Sequence, residues 1–124
     1  YDNKLDKEKL AGFKGANGTI LYFIDQKTVH NLGESFPLYK DAFGVYATHA
    51  NGMAQINIWN ALTTLNLGAS LQHYGPAIET WVKERYQVPE NYQLVAQMPF
   101  GKVITPAEAK DKLPRQEKLT VFKA

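Results

Sequence analysis

The sequence predicts an α+β domain in which a central sheet is flanked by helices and one long helix is buried between its own core and a second subunit. Three observations carry that expectation. Thr19-Ile20-Leu21-Tyr22-Phe23-Ile24 is a β-prone, continuously apolar run, the pattern of a strand covered on both faces. Gln93 to Phe100 alternates Leu94, Ala96, Met98 and Phe100 against Gln93, Val95, Gln97 and Pro99, the two-residue period of a strand. From Ala42 to Ile78 there is no Asp, Glu, Lys or Arg, although charged residues make up 21% of the 124-residue chain. The simplest cause of such a gap is burial on more than one side.

Lys4 to Phe13, with Leu5, Leu10 and Phe13 as a sparse apolar face, reads as the end of a helix. Ala16-Asn17-Gly18 supplies turn chemistry before the first strand. Asp25 is placed to cap a short helix reaching about Asn31, and Gly33 is expected to interrupt it before a second helical segment from about Phe36 to Thr48. Asn51-Gly52 then opens the long uncharged helix, with Ala54, Ile58, Ala61, Leu62 and Leu65 on one face and Ile56, Trp59 and Thr63 on the next. Two non-polar faces exceed what one core needs, so a dimer interface is expected, and a charge at Ile58 or Trp59 would report on it. Gly75-Pro76 opens a further helix with Glu79 near its positive end and Lys83 and Arg85 near its negative end, and Val88-Pro89-Glu90 stops it. Pro99 is expected at a sheet edge or bulge. Leu119 to Phe122 is a short β-prone run that has to pair with a distant strand, on this subunit or another.

Composition narrows the function. The uncharged stretch is no membrane span, because Asn51, Gln55, Asn57, Asn60, Thr63, Thr64 and Asn66 would be orphaned in lipid. A net charge of +2 gives no electrostatic argument for nucleic acid. With no cysteine, disulfides, thiolate metal sites and cysteine nucleophiles are excluded, and a reducing, cytoplasmic setting fits. The chain opens at Tyr1-Asp2-Asn3-Lys4 with no apolar targeting segment, and reads as a piece of something longer.

His30, His49 and His73 stand apart without a second ligand at metal spacing, and there is no phosphate loop, Gly-x-Ser-x-Gly or Gly-x-Gly-x-x-Gly. The basic signal of Lys102, Lys110, Lys112, Arg115 and Lys118 is ordinarily a solvated face. The join after the uncharged helix is more informative. Ala69-Ser70-Leu71-Gln72-His73-Tyr74 carries backbone N–H groups through a charge-free, irregular segment, and these need acceptors. A planar heteroaromatic with ring nitrogen and carbonyl acceptors would supply them, and so would the packing of a buried loop.

The run Ile58-Trp59-Asn60-Ala61-Leu62-Thr63-Thr64-Leu65-Asn66-Leu67-Gly68-Ala69-Ser70-Leu71-Gln72-His73-Tyr74, with Gly18-Thr19-Ile20-Leu21-Tyr22-Phe23 upstream, resembles the FMN-dependent nitroreductase family. Within it the likeness is to the branch of fatty-acid-repression and copper-induced nitroreductase-like proteins. It extends along the whole chain but covers only the family's C-terminal portion. Residues 1–124 are therefore read as the C-terminal portion of a single nitroreductase-like domain. The family's N-terminal Arg-Arg-Ser/Thr phosphate motif and Ser/Asn-rich loop have no counterpart here.

The resemblance implies an obligate homodimer with FMN at each of two interfacial sites and the uncharged helix along the interface. It implies NAD(P)H as electron donor and nitroaromatics or quinones as small-molecule substrates, with neither nucleic acid nor membrane as partner. Leu71, Gln72, His73 and Tyr74 would lie against the flavin ring, with the His73 N–H directed to N5 and the Tyr74 N–H to the neighbouring carbonyl. Lys118, or alternatively Arg115, would face the flavin phosphate. No catalytic side chain or metal is implied, since the chemistry belongs to the flavin. The piece alone is expected to bind FMN poorly or not at all. A flavin-free dimerisation or small-molecule-binding module is the alternative.

Overall fold

The computed structural model describes residues 7–123. Helix α1 spans Lys7–Lys14, strand β1 Gly18–Asp25, helix α2 Gln26–Ser35, and a 3-10 turn Pro37–Ala42 leads into helix α3, Phe43–Thr64. Strand β2 (Leu67–Ala69), helix α4 (Gly75–Tyr86), strand β3 (Tyr92–Lys102) and the short helix α5 (Arg115–Lys118) follow. The part of the first expected helix that precedes residue 7, Leu5 included, lies outside the described residues.

The three strands form an antiparallel sheet in the order β1-β3-β2. The strand that comes last in sequence is thus central, and both its faces are covered. On one face Ala96 and Met98, both 0% exposed, pack with Tyr22 of β1 and Leu62 of α3, flanked by Ile20, Ile58, Trp59 and Leu71. On the other face α4 lies across β3. The backbones come so close that a Cβ on Gly75 would stand 2.7 Å from the Leu94 carbonyl oxygen, so this position accepts only glycine without a backbone shift. Burial on both faces of the sheet is what the continuous apolar run of β1 implied.

Pro99 was expected at an edge or a bulge and instead sits, regularly paired with Thr19, in the central strand. Its carbonyl accepts from the Ser70 N–H at 3.0 Å. Its missing N–H therefore points to the same side, into the gap between β2 and the Gln72–Gln97 bridge, where the ladder tolerates the loss. The register slips between Tyr22 and Phe23, leaving Val95 without a partner in β1 and breaking the regular alternation seen in the sequence.

Three further expectations are corrected. Gly33 does not interrupt α2, which continues to Ser35. It is buried, and a Cβ added there would stand 3.1 Å from the Lys40 Cγ, so a small residue lets the following turn fold back closely. The two helical segments separated at Asn51-Gly52 are a single helix, α3, because Asn51 turns inward and donates to the Phe23 carbonyl at 3.1 Å, while Gln55 donates to Asn51 at 2.6 Å. The long helix ends at Thr64 rather than Leu67, after which Asn66 takes a left-handed conformation (φ 58°) and the chain enters β2.

Within this chain, burial accounts for the charge gap on one face of α3 only. Leu62 is the one buried residue of α3, and Val45, Tyr46, Met53 and Ile56 are more than half exposed. The inward face, with Asn51, Ile58, Trp59 and Leu62, meets the sheet. The outward face is uncharged and uncovered. Ile58 and Trp59 pack on the chain's own core, so a charge there tests folding, not association.

Asp25 couples elements in one place. Its carboxylate accepts from the Lys27 N–H at 2.9 Å, the Thr28 N–H at 3.3 Å, the Thr28 hydroxyl at 2.7 Å and the Asn91 side-chain amide, capping α2 and tying it to the start of β3. The Thr28 hydroxyl, with the Asn91 amide and the two backbone donors, holds its pKa below the usual carboxylate range. The folded value is below the unfolded one, so this contribution is complete above about pH 4 and is lost as pH falls through the lowered folded value. Asp25→Asn is expected to flatten the fall of Tm below about pH 4, and a Tm profile against pH that matches the unaltered chain would count against it.

Candidate functional site

The segment between β2 and α4 is held by the central strand. The Ser70 N–H donates to the Pro99 carbonyl at 3.0 Å, and Gln72 and Gln97 exchange backbone hydrogen bonds of 2.7 and 2.9 Å. Gln97 then adds its side chain: Oε1 accepts from the Tyr74 N–H at 2.8 Å. The Tyr74 carbonyl accepts from the Ala77 and Ile78 N–H groups, which starts α4. The backbone from Ser70 to Tyr74 is thereby fixed along β3 with no charged residue in it.

The four residues expected to face a flavin are adjacent in the chain but turn to different sides. Leu71 packs with the core beneath α3. Gln72 is buried, its Nε2 donating to the Ser70 hydroxyl at 2.7 Å. Tyr74 is half-buried against Phe13, with ring centroids 6.4 Å apart. His73 is exposed, and among the described residues its backbone N–H has no acceptor. The Tyr74 N–H, expected to be open, is already committed to Gln97.

Arg115 and Lys118 lie in α5 and are exposed, with no ion pair or side-chain hydrogen bond among the described residues. Lys102, Lys110 and Lys112 are exposed as well. Leu119 to Phe122 forms no strand. Leu119, Val121 and Phe122 stand open to solvent, and neither outer edge of the sheet, β1 or β2, takes the run within this chain. No cluster of His, Asp or Glu fit to hold a metal occurs among the described residues, and none of their helices is long and apolar enough to cross a membrane.

Sequence reasoning missed two features. One is Gln97, which the strand alternation grouped with the polar side although it is 4% exposed. The other is a cavity of about 480 Å³ between α4 and the sheet, whose walls include Phe13, Leu21, Gln72, Tyr74, Trp81 and Gln97. A glutamine in a strand covered on both faces was the available signal for the first, since buried amides persist where they are hydrogen-bonded. Nothing in the sequence periodicity announces the second.

An antiparallel sheet sandwiched by two helices, with an irregular charge-free segment leading into the second, is an α+β arrangement, and its solved neighbours carry the nitroreductase-like fold. The nitroreductase family signature matches residues 2–102, and the chain belongs to that family. It is 40% identical over 92 residues to the putative nitroreductase HBN1 of Saccharomyces cerevisiae, covering 74% of this chain and 45% of that protein. It is 35% identical over 86 residues to the nitroreductase FRM2 of the same yeast, covering 69% and 44%. Nitroreductase CinD from Lactococcus lactis, solved in complex with chloramphenicol, superposes with a TM-score of 0.91 at 42% identity over 96% of this chain and 63% of that one. The chain thus spans less than half the length of the curated relatives it matches. Arg115 and Lys118 lie beyond the residues of the family match.

Proposed function

We propose that this chain is the C-terminal portion of a nitroreductase-like domain in a cytoplasmic, homodimeric oxidoreductase that uses FMN to pass hydride from NAD(P)H to nitroaromatics or quinones. The observation that carries the reading is the open His73 N–H at the end of a rigidly held, charge-free backbone segment. A ring nitrogen acceptor satisfies that donor, and an uncharged wall suits an aromatic ring. Family membership supports the reading, and CinD's complexes with chloramphenicol, nicotinic acid and 4-nitrophenol concern aromatic small molecules bound by a relative.

When bound, FMN supplies two-electron chemistry between a nicotinamide and an acceptor. The protein's part is to bind and orient. The His73 N–H donates to the electron-rich edge of the ring, which favours its reduced form. Gln72 and Tyr74 hold the backbone in place, Leu71 anchors the segment in the core, and Lys118 or Arg115 supplies a cation for the phosphate. The exposed outward face of α3 supports the homodimer, and it favours a flavin-free dimerisation module equally.

The two readings separate on colour and turnover. A purified preparation of the full-length protein is expected to be yellow, to quench the fluorescence of added FMN and to oxidise NAD(P)H when a nitroaromatic is supplied. A preparation that remains colourless after FMN is added and leaves flavin fluorescence unchanged sinks the oxidoreductase reading and leaves the module.

A further inference from the structure

We infer that Gln97 is the positioning residue of the flavin-facing segment: its side-chain oxygen engages the Tyr74 N–H, so that, unlike the two-donor arrangement the family resemblance implies, the turn before α4 offers the N–H of His73 alone to the ring. The inference rests on the flavin reading above and extends it to a residue on a different element, 23 positions further along the chain.

Gln97 occupies the middle of the central strand and is 4% exposed. Strands covered on both faces favour Val, Ile or Leu, and a buried amide there weakens the fold unless its hydrogen bonds are used. The side-chain amide of Gln97 is used at one point and its backbone at two. Its N–H donates to the Gln72 carbonyl at 2.9 Å, its carbonyl accepts from the Gln72 N–H at 2.7 Å, and its Oε1 accepts from the Tyr74 N–H at 2.8 Å. One residue therefore grips the segment on both sides of His73.

The amide can face only one way. Turning it would set an NH2 group against the Tyr74 N–H, donor to donor, so Oε1 must point to Tyr74. That leaves Nε2 buried with no partner among the described residues. An amide retained with an unsatisfied donor is retained for its acceptor. The consequence lies at His73. Without the clamp, the segment would carry two open N–H groups one residue apart, and a ring could engage either. With it, the donor register is single.

The test uses the full-length protein, unaltered and with Gln97→Leu or Gln97→Glu. Glutamate keeps an oxygen for Tyr74 and deletes Nε2, whereas leucine deletes both. Amide hydrogen exchange is read at Tyr74, with the Ala96 and Met98 amides reporting whether the central strand is intact, and FMN affinity is read from flavin fluorescence. With the strand amides unchanged, Gln97→Leu is expected to speed exchange at Tyr74 about tenfold and to weaken FMN binding roughly fivefold, the scale of one hydrogen bond, and Gln97→Glu to restore both. Unchanged exchange at Tyr74 in the leucine variant overturns the clamp. Faster exchange with equal FMN affinity overturns the positioning role, since a merely structural contact would behave that way. If leucine does not fold, the glutamate variant decides: a folded Gln97→Glu that loses Tyr74 protection or FMN affinity refutes the inference, and one that keeps both supports it. Failure of the unaltered full-length protein to bind FMN, with its exchange pattern intact, overturns the flavin reading and the positioning role together.

Discussion

Met98→Ala should remove about 2–5 kcal/mol of folding stability, a large part of the 5–15 kcal/mol typical of a domain. Met98 is 0% exposed at the centre of the sheet, where β3 meets both β1 and the inward face of α3. Truncation leaves a void bounded by Tyr22, Leu62 and Ala96. It also removes the sulfur to which the Tyr22 hydroxyl donates at 3.5 Å. Tyr22 is itself buried enough to raise its pKa, so its hydroxyl has little access to water as a replacement partner. Met98→Leu separates the two effects. It preserves volume while deleting the acceptor, and is expected to cost less than about 1.5 kcal/mol. Urea unfolding of the three chains reads the difference. A loss in the alanine variant no greater than in the leucine variant would show that the core closes around the gap.

In the homodimer proposed above, with the outward face of α3 as its interface, Ile56→Glu should convert dimer to monomer while leaving the fold of the subunit intact. Ile56 is 53% exposed and Met53 60% exposed on the outward face of α3, in line with Val45 and Tyr46, and no charged residue interrupts them. In a monomer a glutamate there remains in water and costs little. In a dimer it is carried into an apolar interface without a partner, a cost of several kcal/mol. Multi-angle light scattering distinguishes the states, and circular dichroism checks the fold. A variant that stays dimeric with unchanged affinity would show that this face is not the interface. The discriminating power comes from choosing an outward residue: Ile58 and Trp59, equally conspicuous in the sequence, face the sheet, and a charge there disrupts the core whether or not a partner exists.

The elements of this fold were legible where local chemistry is decisive. Thr19 to Ile24 is a strand because β-prone apolar residues run without interruption, α4 starts at Gly75-Pro76 because proline suits a first turn, and α2 starts after Asp25 because its carboxylate caps it. The misreadings came from residues whose local preference was outweighed. Gly33 read as a break and Asn51-Gly52 as a helix start, but the first is buried where Lys40 packs closely and the second lies exposed inside a helix anchored at Asn51. Pro99 read as an edge or bulge signal, yet one missing N–H is harmless when it faces a gap in the ladder. Leu119 to Phe122 has strand propensity but joins neither edge of this chain's own sheet, because propensity alone makes no strand.

Of the candidate site, the segment Leu71 to Tyr74 could be located from its lack of charge and from family likeness, both properties of the linear chain. Which of its N–H groups remains open could not. That depends on Gln97, brought against Tyr74 by the antiparallel register of β3 with the Gln72 bridge, and a register joins residues that no short-range pattern relates. The charge gap divides along the same line. Composition dictates that Ala42 to Ile78 avoids water-seeking charge, and this follows from the side chains present. Folding then assigns one face of α3 to the sheet and leaves the other uncovered, because a helix lying on a three-stranded sheet can bury only the side that touches it.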